Sequence, residues 1–560
     1  MSLFSAQLYP GQALGFLVLG ASLHDILTRL KAEPQRFPKL DLIYSPNEPI
    51  KEPVIVNLPS NGIRIRFDGP EQRLRLVEVI DFTKNHITFK ESNNERDLVR
   101  PPGSGSTISS TDAVAAGPTF KHIYNRFLGP TYDGEFVGGG DDKEEGTYVL
   151  SYPGVAFTFP MPRSAYSPSK DVMSLLSHNG TQTATSMAVF SGDSWAQARD
   201  ALWTDPLPSL KTFAPLAKSA KDSTSPDEVA LVRIHGGGKL QLVRKWNSTC
   251  SATHNASGPS APASLGHSAP STWITLGETS AQDLVAELGP PDAIYRKNDQ
   301  RMYIHRVRTA SNSRTRPETT SAGDLKPGSL GARDDLTDTD LSANTASDDD
   351  DDESNGEAVE DEYADNVAGE CFYNYFYLGF DILVSTPTTP SRPPPSLSQH
   401  GGDEQNTLPS ESTDRLVAVK MILHGNVPGS YPFNRHRRCR WEIAYLDYEG
   451  AGAVDSETPF PEMEERLREE WRPAYASEAD ARQRQRGMVL NRGWGDSPGS
   501  SIELLGDWEG DSVGMGGRSG SRKMGNDGVG GENSTTTLYG FPGLVFEVLR
   551  NGFVSAVTVF

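Results

Sequence analysis

The stretch CFYNYFYLGFDILV, Cys371 to Val384, carries six aromatic rings in its first ten positions and directly follows a long acidic run. Such a cluster is either a platform on which bases, lipids or another ligand stack, or a strand whose side chains need an interior. A platform for nucleic acid interleaves its rings with Lys or Arg, because the phosphates must be met as well as the bases. Neither occurs between Cys371 and Val384. Tyr, Phe and β-branched residues fit a pleated, half-buried surface, where a cross-strand aromatic pair contributes roughly 0.2–1 kcal/mol. The segment therefore reads as a strand closing a sheet interior, continuing a hairpin begun by RMYIH at Arg301 with the acidic tract looped out between them.

The same pattern recurs outward from this strand. A glycine followed by alternating apolar residues appears at Gly62-Ile63-Arg64-Ile65-Arg66-Phe67, at Gly154-Val155-Ala156-Phe157-Thr158-Phe159, at Gly379-Phe380-Asp381-Ile382-Leu383 and at Gly543-Leu544-Val545-Phe546-Glu547-Val548. Period-two alternation predicts one buried and one wet face. A second alternating strand follows three of the copies: LRLVEVI from Leu74, LVAVKMIL from Leu416 and FVSAVTVF from Phe553. Asn551-Gly552 predicts a two-residue hairpin before the last of these.

Each copy is preceded by a short amphipathic helix: GASLHDILTRL from Gly20, TFKHIYNRFLGP from Thr119, GETSAQDLVAELGPP from Gly277 and FPEMEERLREEW from Phe460. In the third, Thr279 or Ser280 is placed to cap the N-terminus, Leu284, Val285 and Leu288 share a face, and Gly289-Pro290-Pro291 stops the helix. The expected fold class is α+β, built from about four degenerate helix-plus-antiparallel-hairpin units that form small sheets. The units are placed at 1–100, at 118–247, at 272–308 with 371–450, and at 458–560. Lone units of this size bury little, so neighbours must cover one another.

Between the units, Pro101–Gly117, Ser248–Ser271, Thr309–Glu370, Ser385–Thr413 and Gly506–Ser534 are too rich in Ser, Gly, Pro and Asp to offset the entropy of ordering, and are expected to be disordered. The formal net charge of −21 is concentrated in one of them: 18 acidic and 4 basic residues between Thr309 and Glu370 give a net of −14. The remainder is only mildly acidic. A broad basic face for nucleic acid is thus excluded. Cys250, Cys371 and Cys439 form neither a disulfide framework nor a C-x-x-C zinc pair. Without a signal-peptide pattern or a span of about 18 apolar residues, the chain is expected to be cytoplasmic.

Catalytic strings are present but lack their context. His235-Gly236-Gly237-Gly238 matches an oxyanion-hole string, and the segments around Ser497 and Ser512 match G-x-S-x-G. A nucleophile elbow needs a sharp turn between a buried strand and a helix, which neither serine has, so no hydrolase is expected. No phosphate loop of the Walker type occurs, and GGGDDKEEG from Gly138 places carboxylates where an anion would sit. The eleven histidines form no local metal-ligand motif, and the run Asp348–Glu353 reads as solvated charge. No catalytic residue, metal ligand or cofactor is assigned. The positive feature is NRHRRCRW, Asn434 to Trp441, in which Arg435, Arg437, Arg438 and Arg440 form a candidate contact for anionic lipid headgroups or an acidic partner face. The competing reading is an edge strand kept from pairing by its charges.

Several segments together resemble the phagosome assembly factor family, eukaryotic cytoplasmic proteins linked to autophagy. They are YSPNEPIKEPVIVNLPSNGIRIRFDGPEQRLRLVEVID from Tyr44, FSGDS from Phe190, FYNYFYLGFDIL from Phe372, LHGNVPGSYPFNRHRRCRWEI from Leu423 and YGFPGLVFEVLRNGFVSAVTVF from Tyr539. In the fourth, His424, Asn426, Pro428-Gly429, Tyr431, Phe433-Asn434 and Arg438-Cys439 match the family pattern. The resemblance implies a non-enzymatic adaptor. It also implies pairing with a large β-propeller protein and recruitment with it to phosphoinositide-bearing membranes at the phagophore assembly site. The chain departs from the compact family pattern by its insertions, above all Thr309–Glu370 and Ser385–Thr413, and by its closely spaced arginines after Asn434.

Overall fold

The computed structural model describes residues 4–91, 94–99, 117–129, 134–138, 145–177, 183–207, 228–244, 271–296, 370–386, 415–447, 452–491 and 535–560. The RMYIH segment, Ser497, Ser512, the run Asp348–Glu353 and, but for a few terminal residues, the five insertions lie outside these. One compact unit spans Met1–Tyr295 and Glu370–Phe560; apart from Arg296, the second, Arg296–Gly369, lies outside the described residues.

The fold is α+β. The four Gly-led strands form as Ile63–Phe67, Val155–Pro162, Phe380–Ser385 and Leu544–Leu549. Each leading glycine has a left-handed backbone, with φ of 60°, 77°, 87° and 75° at Gly62, Gly154, Gly379 and Gly543. That conformation costs a side-chain-bearing residue free energy, and it explains why the pattern begins with glycine. The following strands Leu74–Val79, Val417–His424 and Val554–Val559 each pair antiparallel with the Gly-led strand before them.

These pairs merge into larger sheets. One eight-stranded sheet runs Glu135–Gly138, Glu145–Tyr152, Val155–Pro162, Ser186–Val189, Leu74–Val79, Ile63–Phe67, Val54–Leu58, Asp41–Ile43. The other runs Ala293–Arg296, Cys371–Tyr375, Phe380–Ser385, Val417–His424, Val554–Val559, Leu544–Leu549, Thr535–Phe541, Met488–Asn491. In each, two Gly-led strands of different copies share one sheet, joined where Ser186–Val189 pairs with Leu74–Val79 and where Val417–His424 pairs with Val554–Val559. A five-stranded sheet around Phe4–Tyr9, which runs parallel to Asn85–Glu91, and a four-stranded sheet around Val229–Ile234 complete the described strands.

Position in the sheet decides the burial pattern. Ile63–Phe67 alternates buried and half-buried as its sequence predicts. Leu74–Val79 and Val554–Val559 bury five of their six residues, so one-face alternation fails in these two strands. The second face of Leu74–Val79 is covered where Leu76 packs with Phe190 and Ala198. A strand covered on both faces needs apolar residues at successive positions.

The four predicted helices form. Leu23–Ala32 is capped by Ser22 and buries Leu23, Ile26, Leu27 and Leu30, while Phe460–Trp471 buries Phe460, Met463 and Leu467. Phe120–Ile123 passes into a π-helical turn, Tyr124–Leu128, before Gly129. Ala281–Leu288 takes Ser280, rather than Thr279, as its cap, in a reciprocal box with Asp283. It buries Leu284 and Leu288, but Val285 is 38% exposed and leaves the predicted face.

Two further expectations change. The opening stretch is a hairpin: Cys371–Tyr375 pairs antiparallel with Phe380–Ser385 across the turn Phe376–Gly379. Its neighbour on the other side is Ala293–Arg296. Around Asn551, only Gly552 takes a positive φ, 84°, and Leu549 N–H donates to Phe553 O, so the loop holds three residues rather than two.

Candidate functional site

The sheets close around two apolar interiors. One gathers Leu14, Leu27, Ile65, Phe67, Phe157 and their neighbours; the other gathers Ile382, Met421, Leu423, Trp441, Phe546 and Val557. The segment Leu423–Ile443 connects them. It leaves the strand Val417–His424, places Phe433 in the first interior, and returns to put Trp441 and Ile443 in the second. Its turns use unusual backbone: Asn426 and Asn434 have φ of 45° and 61°, and Gly429 has 81°. Asn tolerates this region because its short amide bonds locally. At Gly429 a Cβ would lie 2.3 Å from the Tyr44 hydroxyl oxygen, so a larger residue there would have to displace the Tyr44 ring.

Polar contacts fix the crossing. Asn426 Nδ2 donates to Gln72 Oε1 and Gln72 Nε2 donates to Asn426 O, both at 2.8 Å, while Asn434 N–H donates to Asn426 Oδ1 at 2.7 Å. The four candidate arginines then divide. Arg438, with 1% of its side chain exposed, donates to Pro70 O and Gly425 O at 2.7 Å and pairs with Glu457 at 3.0 Å. Arg440 grips both Glu457 oxygens, at 3.0 and 3.1 Å. Arg437 pairs with both Asp25 and Glu228, and Glu228 also receives Arg73 at 2.7 Å. Arg435 alone of the four is exposed.

The carboxylates register this environment. Burial works to raise the Glu457 carboxyl, but the Arg440 and Arg438 guanidinium groups outweigh it and hold the pKa down at about 2. At Asp25 the same contest, against the His24 hydrogen bond and Arg437, leaves the carboxyl well below the usual range. Burial pushes the Cys439 thiol up to about 12, which makes it an inert core residue.

Beside Arg435 lies a shallow groove of about 300 Å³ lined by His24, Thr28, Phe376, Tyr377, Asn434 and Arg435. The aromatic cluster is thereby split. Tyr375 and Phe380 are core, Tyr377 is 48% exposed against His24, and Phe376 lies on the His436 ring. Under that ring, Asp381 accepts from His424 Nε2 and His436 Nε2, both at 2.9 Å. The sequence reading missed this group because His424 and His436 stand 43 and 55 positions from Asp381. The legible signal is an Asp and a His on apolar strands. Paired Asp381 and Ile422 make Asp381 and His424 diagonal neighbours on one face.

The oxyanion-type string His235–Gly238 forms the turn between the antiparallel strands Val229–Ile234 and Lys239–Arg244.

The phagosome assembly factor 1 model matches residues 13–321 and 411–560, ranges that include the connecting segment and most of both interiors but not the hairpin Cys371–Ser385. The chain belongs to the phagosome assembly factor 1 family. A PHAF1 protein of Arabidopsis thaliana is 22% identical over 555 residues, covering 99% of this chain and 92% of its own length. One of Drosophila melanogaster is 20% identical over 553 residues, with 97% and 90% covered. One of Caenorhabditis elegans reaches 30% over 148 residues, 26% of this chain and 28% of its own. No solved structure matches. Among the described residues no helix is long and apolar enough to cross a membrane. The family's name connects its members with phagosome assembly, and at such identities the side-chain pairings above rest on this chain's own geometry.

Proposed function

We propose that this phagosome assembly factor family member is a non-enzymatic adaptor in autophagy. It forms a complex with a large β-propeller protein and reaches phosphoinositide-bearing membranes at the phagophore assembly site through that complex. One observation carries the reading: three of the four arginines of its most characteristic segment are taken up by carboxylates of remote elements, tying two interiors together, rather than facing a cleft. Rigid sheets with apolar side chains at their margins suit a partner-binding body. Both outer strands of the second eight-stranded sheet expose such residues, Ile294 and Tyr295 at one margin and Met488 and Val489 at the other.

Affinity purification of the full chain with mass spectrometry tests this. A β-propeller protein is expected at near-stoichiometric abundance, and its absence from cells induced for autophagy would count against the adaptor. Serine-directed fluorophosphonate labelling that disappears on Ser497→Ala or Ser512→Ala would replace it with a hydrolase. For direct lipid contact, the arginine cluster contributes Arg435. Unchanged co-sedimentation of Arg435→Ser with anionic liposomes would remove that contact.

A further inference from the structure

Asp381, His424 and His436 come from three pieces of chain and meet at one point. Asp381 lies on the strand Phe380–Ser385 and His424 ends the neighbouring strand Val417–His424. His436 is carried in by the returning segment, which is pinned where Arg437 N–H donates to Phe376 O and Cys439 N–H donates to His424 O, both at 2.8 Å. The imidazoles stack with centroids 3.8 Å apart and planes 13° from parallel. Both direct Nε2 at the same carboxylate, one to each oxygen. One ligand atom from each of the three residues falls within 4.8 Å of the other two.

We propose that these three side chains bind one divalent transition-metal ion, zinc being the expected occupant. Two imidazole nitrogens and a carboxylate are the donor set of zinc sites and of other first-row divalent ions; magnesium and calcium take oxygen donors. Bond lengths near 2.0–2.2 Å from a tetrahedral ion place its ligand atoms roughly 3.3 Å apart. The two 2.9 Å N···O separations are close to that spacing, so transfer of each imidazole proton from Nε2 to Nδ1, with rotation of one ring out of the stack, makes room for the ion.

The surroundings are compatible with ligation. Side-chain exposures of 3% at His436, 15% at His424 and 14% at Asp381 enclose the cluster while leaving its Asp381–His424 side reachable by water, which completes the coordination. Arg437 beside it is neutralised by Asp25 and Glu228, and Arg435 is the adjacent cation of the segment with no carboxylate partner among the described residues. Among the described residues His436 Nδ1 is buried without a hydrogen-bond partner, so no outer-shell acceptor there supports this ligand, and the affinity is set chiefly by Asp381 and the chelate geometry. The ion would clamp the returning segment onto the sheet. This proposal is independent of the adaptor reading.

The test uses the full chain purified without chelator. Elemental analysis is expected to find one zinc per chain, or uptake of one equivalent from zinc sulfate after chelator treatment, with a raised Tm. Cobalt substitution is expected to give a visible ligand-field band of a nitrogen- and oxygen-ligated ion. Loss of a direct ligand should exceed the 10–100-fold effect of losing an outer-shell partner. His424→Gln, at the more exposed ligand, is therefore expected to weaken zinc affinity by more than about 100-fold and abolish the cobalt band while far-UV circular dichroism stays unchanged. His436→Gln provides the second variant. No stoichiometric uptake by the wild type would overturn the site, as would zinc and cobalt signals that survive both substitutions; the three residues would then be a hydrogen-bonded triad alone.

Discussion

Arg438 and Glu457 show what the arginine cluster does at the scale of single residues. Arg438 makes three hydrogen bonds to main-chain carbonyls, those of Pro70, Gly425 and Ser456, besides meeting a carboxylate, and its planar fork is matched to all of them. Removing one member of a buried pair leaves the other charged and poorly solvated, at a cost of about 3–5 kcal/mol. Arg438→Ala is therefore expected to lower ΔG of unfolding by that amount, read from the urea midpoint, and Arg438→Lys to recover less than half because an ammonium cannot span the same acceptors. A pH effect follows from Glu457, whose carboxyl falls from an ordinary 4.5 to about 2 on folding. A depressed folded pKa stabilises above the unfolded value and loses that contribution as pH drops through the folded one. Wild-type stability should thus fall by on the order of 3 kcal/mol between pH 5 and 2 from this group. Urea titrations of Glu457→Gln should show a shallower acid slope over that window. The sequence displayed these four arginines but not their partners: Asp25, Glu228 and Glu457 lie 412, 209 and 19 positions from the arginines they meet, beyond any local pattern.

At the scale of elements, the Gly-led alternation was legible because it is local: a left-handed glycine followed by side chains of period two needs no knowledge of distant chain. What the glycine touches was not legible. A Cβ on Gly154 would lie 1.9 Å from Gly11 N, whereas one on Gly543 would meet nothing closer than Phe560 O at 3.5 Å. Both share the backbone cost, about 1 kcal/mol. Gly543→Ala is expected to cost that alone, and Gly154→Ala at least about 2 kcal/mol more, because backbone must move. Equal Tm shifts for the two variants would contradict the close approach. The cap of Ala281–Leu288 offers a cleaner case: Ser280→Ala removes the hydroxyl that accepts from Asp283 N–H, leaves the Ser280 N–H bonded to Asp283 Oδ2, and should cost about 1 kcal/mol in thermal unfolding. The hairpin at Cys371–Ser385 was read as one strand because Phe376 and Tyr377 are as aromatic as strand residues. They are apolar for a different reason: one covers His436 and the other His24.

For the whole molecule, the joining of two Gly-led pairs into each eight-stranded sheet depends on contacts between remote strands, which period alone does not encode. Between the two interiors, Leu423–Ile443 supplies the amide pair Gln72–Asn426, the inserted Phe433 and the guanidinium of Arg437 between Asp25 and Glu228. If these contacts make the interiors one cooperative body, calorimetry of the wild type should show one transition for the compact unit. Asp25→Asn combined with Glu228→Gln leaves the Arg437 charge buried without a carboxylate, the costly outcome for such a pair. Neither substitution changes side-chain volume appreciably, so the apolar packing stays intact. The double variant is then expected to unfold in two resolved steps, the interior around Phe157 separating from that around Phe546. A single transition at a lower midpoint would mean that Phe433 and the amide pair suffice to couple them, and that the ion pairs add stability without adding cooperativity.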